Sequence, residues 1–223
     1  MIKKPKIYRK SSKRNIRIAK AGKAKDAIGN IEKGTDTFIL TFGQFSLIDA
    51  LVAILDVVGE STVDISTWTA ADAHLEESAE LIGSSKISKF RMVIDRSFET
   101  RQPGYCNRMR ELFGENCIRE IRTHSKFMVI RSATHNVVVR TSMNLNENPR
   151  LENIEVSESL EFAEFFTSIV DDIFSEVQPG EKKSKMLELA SLQNTFQFPE
   201  VAANKIDRSS LNEPGATHQL KNN

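Results

Sequence analysis

The stretch 118–156, IREIRTHSKFMVIRSATHNVVVRTSMNLNENPRLENIEV, decides the fold. Residues 119–123 and 127–131 set β-branched and aromatic side chains on either side of a His-x-Lys pair, His124 and Lys126. Residues 136–141 (NVVVRT) form a further apolar run leading into a Ser-x-Asn pair, Ser142 and Asn144. Such runs favour strand. Side chains alternate in direction along an extended chain, so residues two apart share one face. Strands are therefore expected to carry His124, Lys126, Ser142 and Asn144 inward, with a following loop that returns Glu155 towards them. Taken singly, each is an ordinary solvated polar residue. At matched spacing beside apolar strands the set is costly unless its members act together, because a polar group withdrawn from water must find a partner.

The same residues resemble a known family. His-x-Lys, a strand, Ser-x-Asn and then Asn153-x-Glu155 are similar to the single-motif branch of the phospholipase D superfamily. The longer words WTAADA (68–73), DRSFETRQP (95–103) and TSMNLNENPRLENIE (141–155) resemble a phage and bacterial subgroup of it. The likeness covers residues 35–177 and departs from the family pattern twice. Arg131 stands where the family has Asp, five residues after the lysine, and Thr141 stands where it has Gly. The resemblance implies an α/β fold, a mixed β-sheet flanked by helices on both faces, and phosphodiester cleavage with no metal and no cofactor. That chemistry needs a nucleophile, neutralisation of charge on the phosphoryl oxygens, and a proton for the leaving oxygen. By the resemblance His124 attacks phosphorus and forms a phosphohistidine, Lys126 and Asn144 hold the oxygens, and Ser142 belongs to the same set. Glu155 is the candidate to fix the imidazole tautomer, as the carboxylate of a hydrolase triad does. The family mechanism uses two histidines, one as nucleophile and one as general acid. With a single His-x-Lys in the chain, a homodimer with the site on its two-fold axis is implied.

A chain of 223 residues, 39% hydrophobic and 27% charged, can bury one good core with appendages. The formal net charge of +1 hides an asymmetry. Lys3, Lys4, Lys6, Arg9, Lys10, Lys13, Arg14, Arg17, Lys20, Lys23 and Lys25 crowd the first 25 residues without an acidic partner, leaving 20 of the 31 basic residues against all 30 acidic ones. Such a block repels itself, buries little and suits a nucleic-acid backbone; a solubilising tail and a tether to acidic membrane are the alternatives. Beside a phosphodiesterase motif nucleic acid is favoured, and Tyr8 could add a stacked base. The expected domains are a basic flexible arm over 1–34, a phospholipase D-like domain over 35–178, and a mostly disordered tail over 179–223, in which 182–192 could form a short amphipathic helix. Cys106 and Cys117 are too few for a disulfide framework. No apolar segment follows the first charged residues, and the most apolar run, 50–55, is bounded by Asp49 and Asp56. Neither export nor membrane spanning is expected, and the cytoplasm of a prokaryote or phage-infected cell is the expected setting.

The remaining elements read as strand over 37–42, helix over 47–58 opened by a Ser46–Asp49 capping box, strand over 62–69, and helix over 73–82. A strand over 90–95 follows, then a helix over 103–113 closed by Gly114, and a last helix over 160–174 with Phe162, Phe166, Ile169, Val170, Ile173 and Phe174 on one stripe. Ligands of open α/β sheets sit beyond the carboxyl ends of strands, which draws attention to Gln44, Phe45, Ser46, Trp68, Thr69, Arg96 and Ser97. Arg96 is a candidate second phosphate clamp, and Trp68 reads better as core. His74, His135 and His218 have no partners at catalytic or ligand spacing and read as surface residues.

Three functions compete. The first is a nuclease acting on DNA, ahead of RNA, through a phosphohistidine. The second is a non-catalytic DNA-binding protein that keeps the dimeric fold, an alternative that Arg131 and Thr141 keep open. A lipid phosphodiesterase is the third, and the lack of an exposed apolar lip counts against it.

Overall fold

The computed structural model describes residues 12–20, 22–67, 87–145 and 149–181. Its strands are β1 (Lys13–Ala19), β2 (Thr35–Thr41), β3 (Ser61–Thr67), β4 (Ile87–Asp95), β5 (Ile118–Ile121), β6 (Phe127–Ser132), β7 (Asn136–Thr141) and β8 (Glu152–Glu158). They form one mixed sheet in the order β1-β2-β8-β7-β6-β3-β4-β5. The pairings β1–β2, β3–β4 and β4–β5 are parallel, whereas β8 and β6 run against their neighbours on both sides. One edge of the sheet therefore collects the carboxyl ends of β1, β2, β3, β4, β5 and β7 together with the starts of β6 and β8. The site forms at this edge.

Helices cover both faces, as expected. On one face α1 (Ala24–Ile28), α2 (Leu47–Val58), α3 (Phe98–Arg101) and α4 (Pro103–Phe113) pack Ile28, Leu51, Ile54, Phe98 and Met109 onto Ile39, Ile65, Met92, Met128, Val139 and Ile154. On the other face α5 (Leu160–Glu176) buries Ala163, Val170 and Ile173 against Val93, Phe127, Val129 and Val138. With both faces covered, β6 reads as a continuous apolar run, FMVI, rather than an alternation. The capping box forms as the sequence predicts: the Asp49 N–H donates to Ser46 Oγ (3.0 Å), and the Ser46 N–H donates to Asp49 Oδ2 (2.7 Å). Arg91 ties α5 to the sheet, donating to both Asp64 oxygens (2.6 and 2.8 Å) and to Asp171 (2.5 Å). Cys106 and Cys117 are buried free thiols, and burial pushes them up to about 12 and about 11. Among the described residues no helix is long and apolar enough to cross a membrane.

The described residues within 13–34 do not form the flexible arm expected over 1–34. Lys13–Ala19 is instead the edge strand β1, in parallel register with β2 from Lys13↔Thr35 to Ala19↔Thr41. Arg17 belongs to this framework rather than to a free arm: its guanidinium donates to the carbonyls of Ala27 (3.0 Å) and Ile28 (2.6 Å), a cation placed at the C-terminal end of α1. Lys13 and Arg14 are exposed on β1. Lys3, Lys4, Lys6, Tyr8, Arg9, Lys10, Trp68, Thr69, His74, His218, the expected helix over 73–82 and the tail from 182 onward lie outside the described residues.

Candidate active site at one edge of the sheet

The His-x-Lys pair sits just outside the strands that were expected to carry it. β5 ends at Ile121 and β6 starts at Phe127, so His124 and Lys126 occupy the loop between them. The ladder still reaches one residue into that loop, because the Thr141 N–H donates to the Lys126 carbonyl (3.3 Å). Ser142 and Asn144 likewise follow β7 rather than ending it. Strand order explains the convergence: β6 and β7 form a hairpin, so the start of one and the finish of the other meet at the same edge.

Three anchors hold the loop that carries His124. The Thr123 N–H donates to Asp95 Oδ2 (3.4 Å), the Ser125 N–H donates to Thr123 Oγ1 (3.1 Å), and the Ser66 hydroxyl donates to the Ser125 carbonyl (3.0 Å). Asp95, the last residue of β4, also accepts from the Ser97 N–H (3.0 Å) and hydroxyl (2.5 Å). Its partial burial alone would raise its pKa. The hydrogen bonds from Ser97 and Thr123 and the charge of Arg101 outweigh that and hold it below the usual aspartate value. The residues after β4 lie at this edge, where ligands of open sheets are expected. Ser97 acts through Asp95, and Arg96 stands exposed at the same edge with its N–H donating to the Ile121 carbonyl (2.9 Å). Gln44 braces the neighbouring ends of β1 and β2, donating to the Ala19 carbonyl (2.6 Å) and accepting from the Phe42 N–H (2.8 Å).

Lys126 and Ser142 share one groove, and the carboxylate that meets them is Glu152. The Ser142 hydroxyl donates to Glu152 Oε2, and Arg150 Nε donates to Oε1 at 2.5 Å. Glu152 is 6% exposed. Burial lowers the Lys126 pKa, opposed by the charge of Glu152 and reinforced by that of Arg150, so both groups lie within electrostatic reach of the ammonium. Glu155 is placed differently. An odd separation along a strand reverses the face, and Glu155 lies on the α5 side of β8, paired with Arg140 at 2.6 Å directly across the β7–β8 ladder. The sequence signal for Glu152 was its even spacing with Ile154 and Val156, both core residues.

Asn144 is buried, and its Oδ1 has no hydrogen-bond partner among the described residues, a costly state without a ligand. Thr141 has an ordinary negative φ. Its hydroxyl donates to the Asn153 carbonyl (2.6 Å) and accepts from the Met143 N–H (2.9 Å), fastening the turn that presents Ser142. Arg131 lies at the opposite end of β6, where its Nε donates to Asn136 Oδ1 (3.3 Å). At about 3.3 Å per residue it is some 16 Å from Lys126, so the residue type at 131 does not touch the site. His135 is in the β6–β7 turn, also at that far end, with its Nδ1 2.8 Å from the Thr134 hydroxyl. Among the described residues no cluster of His, Cys, Asp or Glu is placed to hold a metal ion.

No protein-family model and no curated protein sequence matches the chain. Solved structures with a similar fold include the following two. The phospholipase D family member Nuc from Salmonella typhimurium has a TM-score of 0.45 and 15% identity over 64% of this chain and 97% of Nuc. The polyphosphate kinase from Porphyromonas gingivalis has a TM-score of 0.44 and 14% identity over 66% of this chain, which spans only 27% of that enzyme.

Proposed function

We propose that the chain is a phospholipase D-like phosphodiesterase that cleaves nucleic acid, DNA ahead of RNA, through a phosphohistidine on His124 and without a metal. The observation that carries this reading is the meeting of Lys126, Ser142 and Glu152 at the carboxyl-end edge of the sheet, with His124 two residues from Lys126 in a loop braced by Asp95. An unprotonated His124 nitrogen bonds to phosphorus as the bond to the leaving oxygen breaks, and a general acid gives that oxygen its proton. Water then hydrolyses the phosphohistidine and releases the imidazole. Lys126 and Asn144 stabilise the oxygens where charge develops, and Glu152 holds Ser142 and supports the charge of Lys126.

A second copy of the chain supplies the general acid in this reading; among the described residues the other histidine, His135, stands about a strand length away. A homodimer paired across this edge is therefore part of the proposal. Incubating the purified chain with labelled single- and double-stranded DNA in chelator tests the activity. Cleavage should occur, should be abolished by His124→Ala, and should leave an acid-labile phosphohistidine trapped on His124. DNA that is bound but never cut, with no phosphohistidine, would replace this reading with that of a DNA-binding platform.

A further inference from the structure

The groove that holds Lys126 and Ser142 does not end with them. It has a volume of about 390 Å³ and runs on past Phe127, Arg140 and Asn153 to Phe166 on α5, within the size range of small-ligand sites. We propose that this extension is a nucleotide subsite in which Phe166 stacks on the base next to the scissile phosphate and Arg140 takes the following phosphate, so that the substrate is a single strand. The proposal rests on the phosphodiesterase reading above and deepens it.

Phe166 is a fixed wall. Its ring centroid lies 4.6 Å from Phe127, 5.1 Å from Phe162 and 5.2 Å from Phe165, so its orientation is set before any ligand arrives. Arg140 is equally prepared: one guanidinium nitrogen pairs with Glu155 at 2.6 Å, the carbon lies 4.7 Å from the centroid of Phe162, and 40% of the side chain remains exposed. A guanidinium carries five N–H donors in a planar fork, so one ion pair leaves others for a phosphate. Glu155, which is not at the reacting edge, thereby gains a role as the residue that positions Arg140. Asn153 lines the same wall while its backbone is engaged by Thr141 and Ser142, and its side-chain amide can meet a base edge. An aromatic face, a planar cation and an amide in one groove match the π face, phosphate and hydrogen-bonding edge of a nucleotide. An acyl chain would use only the first. A base within a duplex has its faces covered by neighbours, and only an unstacked one can lie on Phe166.

The test uses the full chain carrying His124→Ala, so that binding is read without cleavage. The probes are single-stranded oligonucleotides with 2-aminopurine at one position, matched strands abasic at that position, and the corresponding duplex. Phe166→Leu should weaken binding of the base-containing strand by roughly 5- to 150-fold, the range for one aromatic–base stack, and abolish the 2-aminopurine quench. It should leave the abasic strand unchanged, and Phe166→Tyr should restore both affinity and quench. Arg140→Gln should weaken both strands alike and reduce the salt slope by about one. Equal loss on base-containing and abasic strands, no loss on either, or a duplex bound as well as the single strand would overturn the proposal. Phe166-dependent binding by a wild-type chain that never cleaves would sink the phosphodiesterase reading and keep the subsite. Cleavage indifferent to Phe166→Leu would do the reverse.

Discussion

Exchanging Glu152 for Gln should cripple the site, and the same exchange at Glu155 should leave its chemistry nearly intact. Gln keeps the shape of Glu and removes its charge. At position 152 that charge is almost wholly buried, accepts from the Ser142 hydroxyl, and opposes the desolvation of Lys126. Arg150 is half exposed and can return to water, so the loss falls on Ser142 and Lys126. One charge-assisted hydrogen bond is worth about 1.5–3 kcal/mol, a roughly 10- to 150-fold fall in kcat/KM. At position 155 the lost ion pair has a partner 40% exposed. Pairs open to solvent on one side contribute about 0.2–1 kcal/mol, at most about five-fold, felt in KM through Arg140 rather than in kcat. The assay is the initial rate on a labelled oligonucleotide in EDTA, with thermal melting of each variant as the control for folding. A Glu155→Gln chain slower in kcat than Glu152→Gln would refute the reasoning and return the carboxylate role to Glu155.

Four further outcomes follow from the geometry. Because the Lys126 pKa is lowered by burial, its charge is lost at a lower pH than that of an ordinary lysine. The alkaline limb of kcat/KM should therefore fall below pH 10.5, and Lys126→Arg should move it upward; in the window between the lowered value and 10.5 the native chain binds fewer protons than the unfolded one, so stability rises with pH there. Asp95→Asn should reduce activity and stability together by about 1–3 kcal/mol; with the Asp95 pKa depressed, its stabilising effect is present above the unfolded aspartate value and lost as pH falls through the lower folded value, which an acid melt of the two chains reads directly. Arg131→Asp should leave kcat unchanged, since position 131 sits at the other end of β6; a several-fold gain in rate would show that it communicates with the site. Deleting residues 1–11 should weaken DNA binding regardless of sequence and flatten its salt dependence, whereas extending the deletion through Lys13–Ala19 should also lower the melting temperature by exposing the edge of β2.

Local signals were legible where local physics decides. The limits of α2 and α4 match the sequence reading because a capping box opens the first and proline and glycine bracket the second, with Gly114 at a φ of 89° that other residues avoid. β1 was hidden because six of its seven residues are basic or exposed: Ile16 is 75% exposed, and Arg17 finds its partner through a tertiary contact with α1. Charge density read as an arm, and only pairing with β2, itself set by distant β8, reveals a strand. At the site the approach of Lys126 and Ser142 to one groove was legible from spacing. The face that each glutamate of β8 takes was not. Which of Glu152 and Glu155 faces Ser142 depends on the register of β8 against β7, and a slip of one residue would reverse every face. Asp95 was overlooked for a related reason, since its partners Thr123 and Ser97 come together only once β4 and β5 are paired.

β1 runs parallel to β2, and its first residue, Lys13, lies at the edge of the sheet away from His124. Six steps along β1 at about 3.3 Å and four strand spacings to β6 at about 4.8 Å put the start of β1 roughly 28 Å from the loop that carries His124. On the nuclease reading, the positive charge of residues 1–11 joins the body about eight nucleotides from the cut, at about 3.4 Å per nucleotide. Severing a phosphodiester would then not sever the protein from its substrate: the fragment beneath the basic segment stays tethered while the other diffuses off. Successive cuts on one molecule would come from that offset between tether and blade, and fragments too short to span the sheet would be released at the first cut.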